Sequence, residues 1–425
     1  MNTARGIRSR KMCAKSMFAA AAIFLFFFIF SGLSAVSAQQ AERSAGEAVP
    51  VARVPVTQGP LLQVNPYFST QTFTYSDGTI LERAIINGPP KPPPGFESER
   101  TAASLPEPDK AAAAKTLTVP AYNWVFGCSS VSGAMIAGYY DRNGCPNMYT
   151  GPTGGGVMPM DNSSWPTWSD GYTTYPNLPL AASRNGVDGR TTRGSIDDYW
   201  VKYDSTANDP YITNGWTQHA WGTAIGDYMK TSQSAYYNTD GSSSFWNYSS
   251  ATKLTCADME TFTHPDIGGH YLSWQDATYG RKLFYEARGY TVTDCYNQPT
   301  DNRYAGGFSF ANYKAEIDAG RPVMINVTGH TMVGVGYSDT SNTVYLHDTW
   351  DYSNHPMTWG GSYKGMTMQS VSIVNIQGAP VVCTYSISPA SASVNGSNGS
   401  GTVTVTVSGS SCFWTAVSNA AWITV

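Results

Sequence analysis

The 425-residue chain is poor in charge: Asp, Glu, Lys and Arg make up 13% of it, about half the share in an average globular protein. The 26 bases do not outnumber the 30 acids, so nothing is left over to neutralise a phosphate backbone, and electrostatic nucleic-acid binding is excluded as a function. Histidine is scarcer still, with six residues, and there are seven cysteines. Beyond the first 38 residues no apolar run is long enough to span a bilayer. Gly, Ser, Thr, Asn and Tyr fill the composition instead, a content that suits strands and loops. The length fits two to three domains.

Residues 1–38 read as a secretory signal. Arg5, Arg8, Arg10, Lys11 and Lys15 precede the apolar run Phe18–Phe30, and Ala35-Val-Ser-Ala38 offers small residues for cleavage. Losing those five bases leaves 21 against 30 acids, a balance of −9. The expected location is secreted, periplasmic or cell-surface, with no membrane contact after cleavage. Six cysteines then remain, and in an oxidising compartment an even count allows three disulfides.

Four regions follow one another: the signal (1–38), a pro-segment or extended linker (39–115), the main domain (116–378) and a β-rich tail (379–425). The second contains Gly88-Pro-Pro-Lys-Pro-Pro-Pro-Gly95, an extended polyproline stretch, after a hairpin pattern at Gln71–Tyr75 and Thr79–Leu81. In the main domain a strand is expected at Thr116–Val119. Val131, Ala134, Met135, Gly138 and Tyr139 have helical spacing, with Ser129 and Ser130 placed to cap. Further helices are expected at Ser195–Tyr203, Ala220–Lys230, Tyr279–Arg288 and Phe310–Ala319. Gly320 stops the last of these, and the period then changes to two at Val323–Val327, Met332–Tyr337, Val344–Leu346 and Ser370–Ile376. Helices followed by an antiparallel meander indicate an α+β domain. The tail carries a β-hairpin pattern, Ser391–Val394 with Thr402–Val407, and breaks off inside a strand, as though more chain follows.

Three residues of the main domain converge on one chemistry. Cys128 heads a helix, whose dipole favours the thiolate over the thiol, and Gly127 beside it lets a substrate backbone come close. His330 opens a strand and Asp348 closes the next one, so a carboxylate can orient an imidazole that takes the thiol proton. A single Cys in an exported protein is more often a disulfide, and a lone His is usually structural. The order and setting of the three carry the weight.

This arrangement is similar to the papain-like cysteine peptidases of the C39-like group, over about residues 116–378, through Gly329-His330, His347-Asp348-Thr349 and, less closely, Tyr122–Cys128. The resemblance implies a papain-like fold with a Cys-headed helical half and an antiparallel half. It also implies hydrolysis of amide bonds through a Cys128 thioester, with His330 as base and then acid and Asp348 orienting it. Asn123 stands in the neighbourhood where the family places an oxyanion-hole Gln, and Cys-Ser-Ser replaces the family's Cys-Gly-Pro. Neither a metal nor an organic cofactor is implied, and the partner is a peptide or protein substrate. The tail resembles the BACON domain, an immunoglobulin-like β-sandwich, which implies a carbohydrate contact at most; its Cys383 and Cys412 flank a hairpin and are expected to pair. Cys256–Cys295 is the expected second disulfide, with Cys128 and Cys145 as thiols.

The rest is weaker. An aromatic insertion (Trp165, Trp168, Tyr172, Tyr175, Tyr199, Trp200, Trp216, Trp221) either roofs the cleft or is core. His264, Asp266 and His270 lack the spacing of a zinc site. Asp197, Asp198 and Asp227 read as solvated or capping carboxylates, and Asn162, Asn247, Asn326, Asn395 and Asn398 head glycosylation sequons. Two rivals use the same residues: a non-catalytic binding module for peptide or glycan, and a cell-wall amidase or transglutaminase.

Overall fold

The computed structural model describes residues 52–92, 114–148, 157–163, 167–169, 174–176, 178, 180–182, 224–233, 236–238, 241–264, 267–377, 385–393 and 400–407. The signal segment, the helix expected at 195–203, most of the aromatic insertion, Asp197, Asp198, Asp266, Asn395, Asn398, Cys383 and Cys412 lie outside them.

In chain order the elements are β1 (Pro55–Gln58), β2 (Leu62–Asn65), β3 (Phe68–Tyr75), β4 (Ile80–Ile86), β5 (Ala114–Thr116), α1 (Cys128–Arg142), β6 (Thr167–Ser169), β7 (Thr174–Pro176) and α2 (Ile225–Met229). Then come β8 (Ser243–Tyr248), β9 (Leu254–Thr255), α3 (Cys256–Met259), α4 (Ala277–Ala287), β10 (Val292–Pro299), α5 (Phe310–Asp318), β11 (Val323–Val327), β12 (His330–Ser338) and β13 (Thr343–His347). The last are β14 (His355–Thr358), β15 (Ser362–Tyr363), β16 (Met366–Ile376), β17 (Tyr385–Ser388) and β18 (Thr404–Val407). The domain is mixed α+β, mostly sheet.

A nine-stranded antiparallel sheet runs β14-β13-β12-β11-β16-β10-β9, with β5 beside β12 and β15 beside β16. Thr331 faces Ser129 of α1, whereas a Cβ on Gly334 would meet the Tyr313 ring of α5 at 2.6 Å. Three residues apart on one strand, these positions lie on opposite faces, so the two helices cover both sides of β12. That explains why β11 (VMINV) is buried throughout and reads as one continuous, largely apolar stretch.

Residues 55–86 are not a loose extension. Strands β1, β2, β3 and β4 join β8 in a second antiparallel sheet, and Phe73, Tyr75 and Leu81 pack with Trp246, Leu254, Met259, Phe262 and Leu272 in a core of their own. Two hydrogen bonds from Arg303 to Glu82 tie β4 to the loop after β10. The expected hairpin is present as β3–β4, and Cys256 and Cys295 are bridged, joining α3 to β10.

Several expectations are corrected. The strand expected at Thr116–Val119 ends at Thr116, and the described helix near 220–230 is only Ile225–Met229. Ser391–Ala392–Ser393 is not a strand; β17 pairs with β18 in its place. Neither serine caps α1: Ser130 donates back to the Gly127 carbonyl and Ser129 bonds Thr331. His264 packs edge-on against Phe73 and His270 stacks on Trp274, so both rings serve as aromatic packing. Asn162, Asn247 and Asn326 are buried, out of reach of a glycosylating enzyme in the folded state.

Asp276 joins the second sheet to the first. It caps α4 by accepting from Thr278 and Tyr279 N–H, and its other oxygen accepts from Trp246 N–H and the Asn297 amide. Burial is the largest influence on it and, against these four bonds, pushes its carboxyl up to about 6. The folded state therefore binds this proton more tightly than the unfolded chain, and the stabilisation fades as pH rises through about 6. Between pH 4 and pH 7 wild type should lose about 2 kcal/mol relative to Asp276→Asn in chemical denaturation. A gap between the two that does not vary with pH would contradict this.

Candidate active site

Cys128 is the first residue of α1, and the backbone before it is bent sharply: Phe126 has φ +58° and Gly127 φ +146°. A Cβ on Gly127 would lie 2.5 Å from Thr231 Cγ2 and 2.6 Å from the Gly241 carbonyl, so only glycine fits this turn. The Cys128 thiol is unbridged and buried.

The strand that carries the histidine is bonded directly to this helix. Thr331 N–H donates to Cys128 Sγ at 3.3 Å, Thr331 Oγ1 bonds Ser129 Oγ at 2.8 Å, and Ser132 Oγ donates to the Thr331 carbonyl at 3.0 Å. Thr331 Oγ1 also donates to Asn326 Oδ1 at 2.9 Å. Since 128–129 and 330–331 are adjacent pairs, fastening Ser129 to Thr331 fixes the sulfur against the His330 ring.

His330 Nε2 lies 2.6 Å from the Asp348 backbone carbonyl and 3.2 Å from Thr349 Oγ1. A carbonyl can only accept, so Nε2 carries the proton and Nδ1 is left facing the sulfur. The expected link to Asp348 thus runs through its main chain. The strand register pairs Val333 with His347; continued three places, it sets His330 opposite Trp350, whose indole stacks on the imidazole at 4.1 Å. The Asp348 carboxylate accepts from Trp350 N–H at 3.1 Å and from Tyr363 OH at 2.5 Å, and lies 3.7 Å from His355 Nε2. It braces the turn that presents its own carbonyl. Thr349 in that turn has φ +66°, unusual for a β-branched residue, and its carbonyl accepts from Trp124 N–H at 2.7 Å.

Asn123 is fixed through its main chain, which exchanges hydrogen bonds with the Asn162 side chain, and its Oδ1 is buried without a hydrogen-bond partner among the described residues. The next residue, Trp124, directs its indole N–H to the Gly88 carbonyl at 3.1 Å. Trp124, Trp350, Tyr363, Ser129 and Thr331 were not foreseen as site residues. The spacing of Trp350 from His330, read against the strand register, is the one signal that could have found any of them.

Electrostatics favour the thiolate. Burial is the largest influence and pushes the Cys128 thiol up, but the His330 charge and hydrogen bond, the Thr331 N–H and the Ser129 hydroxyl together hold it below its ordinary 9.0. Cys145, buried beside Asp141, is pushed up to about 11. Burial likewise pushes His347 down to about 4, which keeps it neutral at physiological pH. Asp348, Asp351 and His355 bring three potential ligand atoms within 4.8 Å of one another, and His355 Nε2 lies 3.0 Å from Asp351 Oδ1.

Residues 116–371 match the model of the Peptidase_C39 like family. The chain belongs to that family. No curated protein and no solved structure matches the chain. Membership in the C39-like family points to a cysteine peptidase acting on protein or peptide, and Cys128, His330 and Asp348 all fall within the matched residues. The match stops short of the tail, where nothing supports the β-sandwich resemblance or the carbohydrate contact drawn from it.

Two measurements check this geometry. The pH midpoint of Cys128 alkylation should fall below 9.0 and should rise in His330→Ala, where burial meets less opposition, while Cys145 stays unlabelled at neutral pH. An unmoved midpoint in the variant would break the Cys–His link. Thr331→Val should lower unfolding free energy by about 1–3 kcal/mol, because Ser129 Oγ and Asn326 Oδ1 each lose a buried partner.

Proposed function

We propose that the chain is an exported cysteine peptidase of papain-like fold, in which Cys128 attacks a peptide carbonyl and His330 carries the proton. The thiol proton passes to His330 Nδ1 as sulfur adds to the carbonyl carbon, and Nδ1 then gives it to the leaving nitrogen as the C–N bond breaks, which leaves a Cys128 thioester. Water then gives a proton to Nδ1 and attacks the thioester, and the acid is released as Nδ1 returns that proton to the sulfur. The observation that carries this reading is the buried Sγ beside His330 with Nε2 bonded to the Asp348 carbonyl, since that bond leaves Nδ1 as the nitrogen that exchanges protons with sulfur. In this reading Asp348 is a positioning residue acting through its carbonyl and through the turn its carboxylate braces.

The developing oxyanion would sit at the positive end of α1, near the Cys128 N–H. In this reading the Asn123 amide assists there. The bridge between Cys256 and Cys295 suits a protein that works outside the cell, where the disulfide persists.

The test is cleavage of a defined peptide mixture followed by mass spectrometry. Wild type should produce new termini, Cys128→Ala none, and His330→Ala should reduce kcat about 10²–10⁴-fold. New termini that persist in Cys128→Ala would defeat the proposal. Release of ammonia from side-chain amides without any backbone cut would move the activity to an amidase.

A further inference from the structure

The cleft of this chain is filled by the chain itself. Beyond β4 the backbone passes over the candidate site as Asn87-Gly88-Pro89-Pro90-Lys91-Pro92, with Gly88 and Pro89 buried and Lys91 exposed. Trp124 Nε1 donates to the Gly88 carbonyl at 3.1 Å and Trp350 Nε1 to the Pro89 carbonyl at 2.8 Å. Two indoles, one from just before Cys128 and one stacked on His330, thus grip consecutive main-chain carbonyls.

Gly88 is pressed against the reactive pair. A Cβ built on it would overlap Cys128 Sγ and lie 2.6 Å from His330 Nδ1 and 2.9 Å from Cys128 Cβ. No side chain fits there, so glycine is required by close approach. The same construction gives the orientation: the Cα–H bond that a side chain would replace points between sulfur and imidazole. Hydrolysis needs a carbonyl carbon in front of the sulfur, and the segment presents an α-carbon in its place while Trp124 holds the neighbouring carbonyl oxygen.

The segment is also anchored from outside the cleft. Asn87 N–H donates to the Tyr67 carbonyl at 2.9 Å, and Asn65 Nδ2 donates to the Thr328 carbonyl at 3.0 Å, two residues before His330. A Cβ on Gly329 would come within 2.8 Å of Tyr67 Cβ. The β2–β3 turn thus sits on the turn that leads to His330, and β4 feeds the segment straight into the cleft. Pro89 and Pro90 fix φ and carry no N–H, so the stretch is stiff and enters already extended.

We propose that Gly88-Pro89 is a built-in inhibitor of the Cys128 site, held by a two-indole clamp that recognises adjacent carbonyls of an extended Gly-Pro segment. The proposal rests on the reading of Cys128 as the nucleophile. While the segment is bound it competes with substrate for the sulfur, and cleavage by the full chain rises when it leaves. A substrate reaching the sulfur must displace it and can use the same two indole donors.

The experiment follows Cys128 carbamidomethylation at pH 7 by mass spectrometry in the full chain, together with peptide cleavage. Gly88→Val cannot keep its side chain beside the sulfur, so the segment is expelled. Labelling should speed up by roughly tenfold or more, as expected for losing two hydrogen bonds to the occupant. The capped hexapeptide Asn-Gly-Pro-Pro-Lys-Pro, added to Gly88→Val, should slow labelling again in proportion to its concentration. If Gly88→Val does not fold, Trp124→Phe, which keeps the ring and removes the N–H donor to Gly88, should also label faster than wild type. Unchanged or slower labelling in the folded variant overturns the proposal, as does a peptide without effect. Labelling reads occupancy of the cleft whether or not any peptide is cut, and loss of cleavage in Cys128→Ala reads the chemistry whether or not labelling changes. Failure of the inhibitor and failure of the peptidase reading are therefore distinguishable.

Discussion

The site depends on the bonds Thr331 makes to the head of α1. One residue supplies a backbone N–H to the sulfur, a hydroxyl to Ser129 and a carbonyl to Ser132, all of them buried. Each link replaces hydrogen bonds to water and so adds little net stability, yet none can be lost without stranding a partner. Helix and strand therefore have few relative positions open to them, and the distance from sulfur to imidazole is set by packing rather than by flexible side chains. Ser129 is the helix partner in this link, so the residue after Cys128 has a structural use.

The main-chain carbonyl on His330 follows from strand register. An antiparallel pair that sets Val333 against His347 carries His330 toward Trp350, and the chain at 348–349 must turn across the imidazole nitrogen. The turn is strained at Thr349 and is held from three sides, by Trp124 N–H, Tyr363 OH and the Trp350 N–H that reaches back to Asp348. The acid is thereby kept next to the histidine while its charge goes to the scaffold. The tautomer is fixed all the same, because a carbonyl accepts as a carboxylate does.

Much of this was legible in the residues. Val323–Val327 is a strand with the expected ends, and helices stand close to 279–288 and 310–319, because these segments carry strong periods and clear stops. Cys128 at a helix start and His330 at a strand start could be read for the same reason. What escaped was non-local. β1 and β2 are short and mostly exposed, and β8 finds its partner in β4 some 160 positions back, so no local pattern announces either pairing. The roles of Trp124 and Trp350 were hidden because an indole N–H that aims into a cleft looks, in sequence, like one more aromatic in a chain with 12 tryptophans. Asn123 was read by analogy of position, and what the structure fixes is its main chain, which the Asn162 side chain holds.

The second sheet explains why a chain would keep residues 55–86 folded beside its site. Its own core and the Asp276 junction make it part of the body, so it cannot drift away as an unstructured arm would. A segment hung between such a sheet and the first strand of the peptidase body is confined near the cleft, and its effective concentration there is far above that of any free peptide. Weak individual bonds are then enough to keep it in place: two indole donors, a glycine without a side chain, and two prolines already in extended form. The same confinement makes the arrangement easy to reverse, because cutting the tether on one side reduces that concentration while every residue of the site stays where it is.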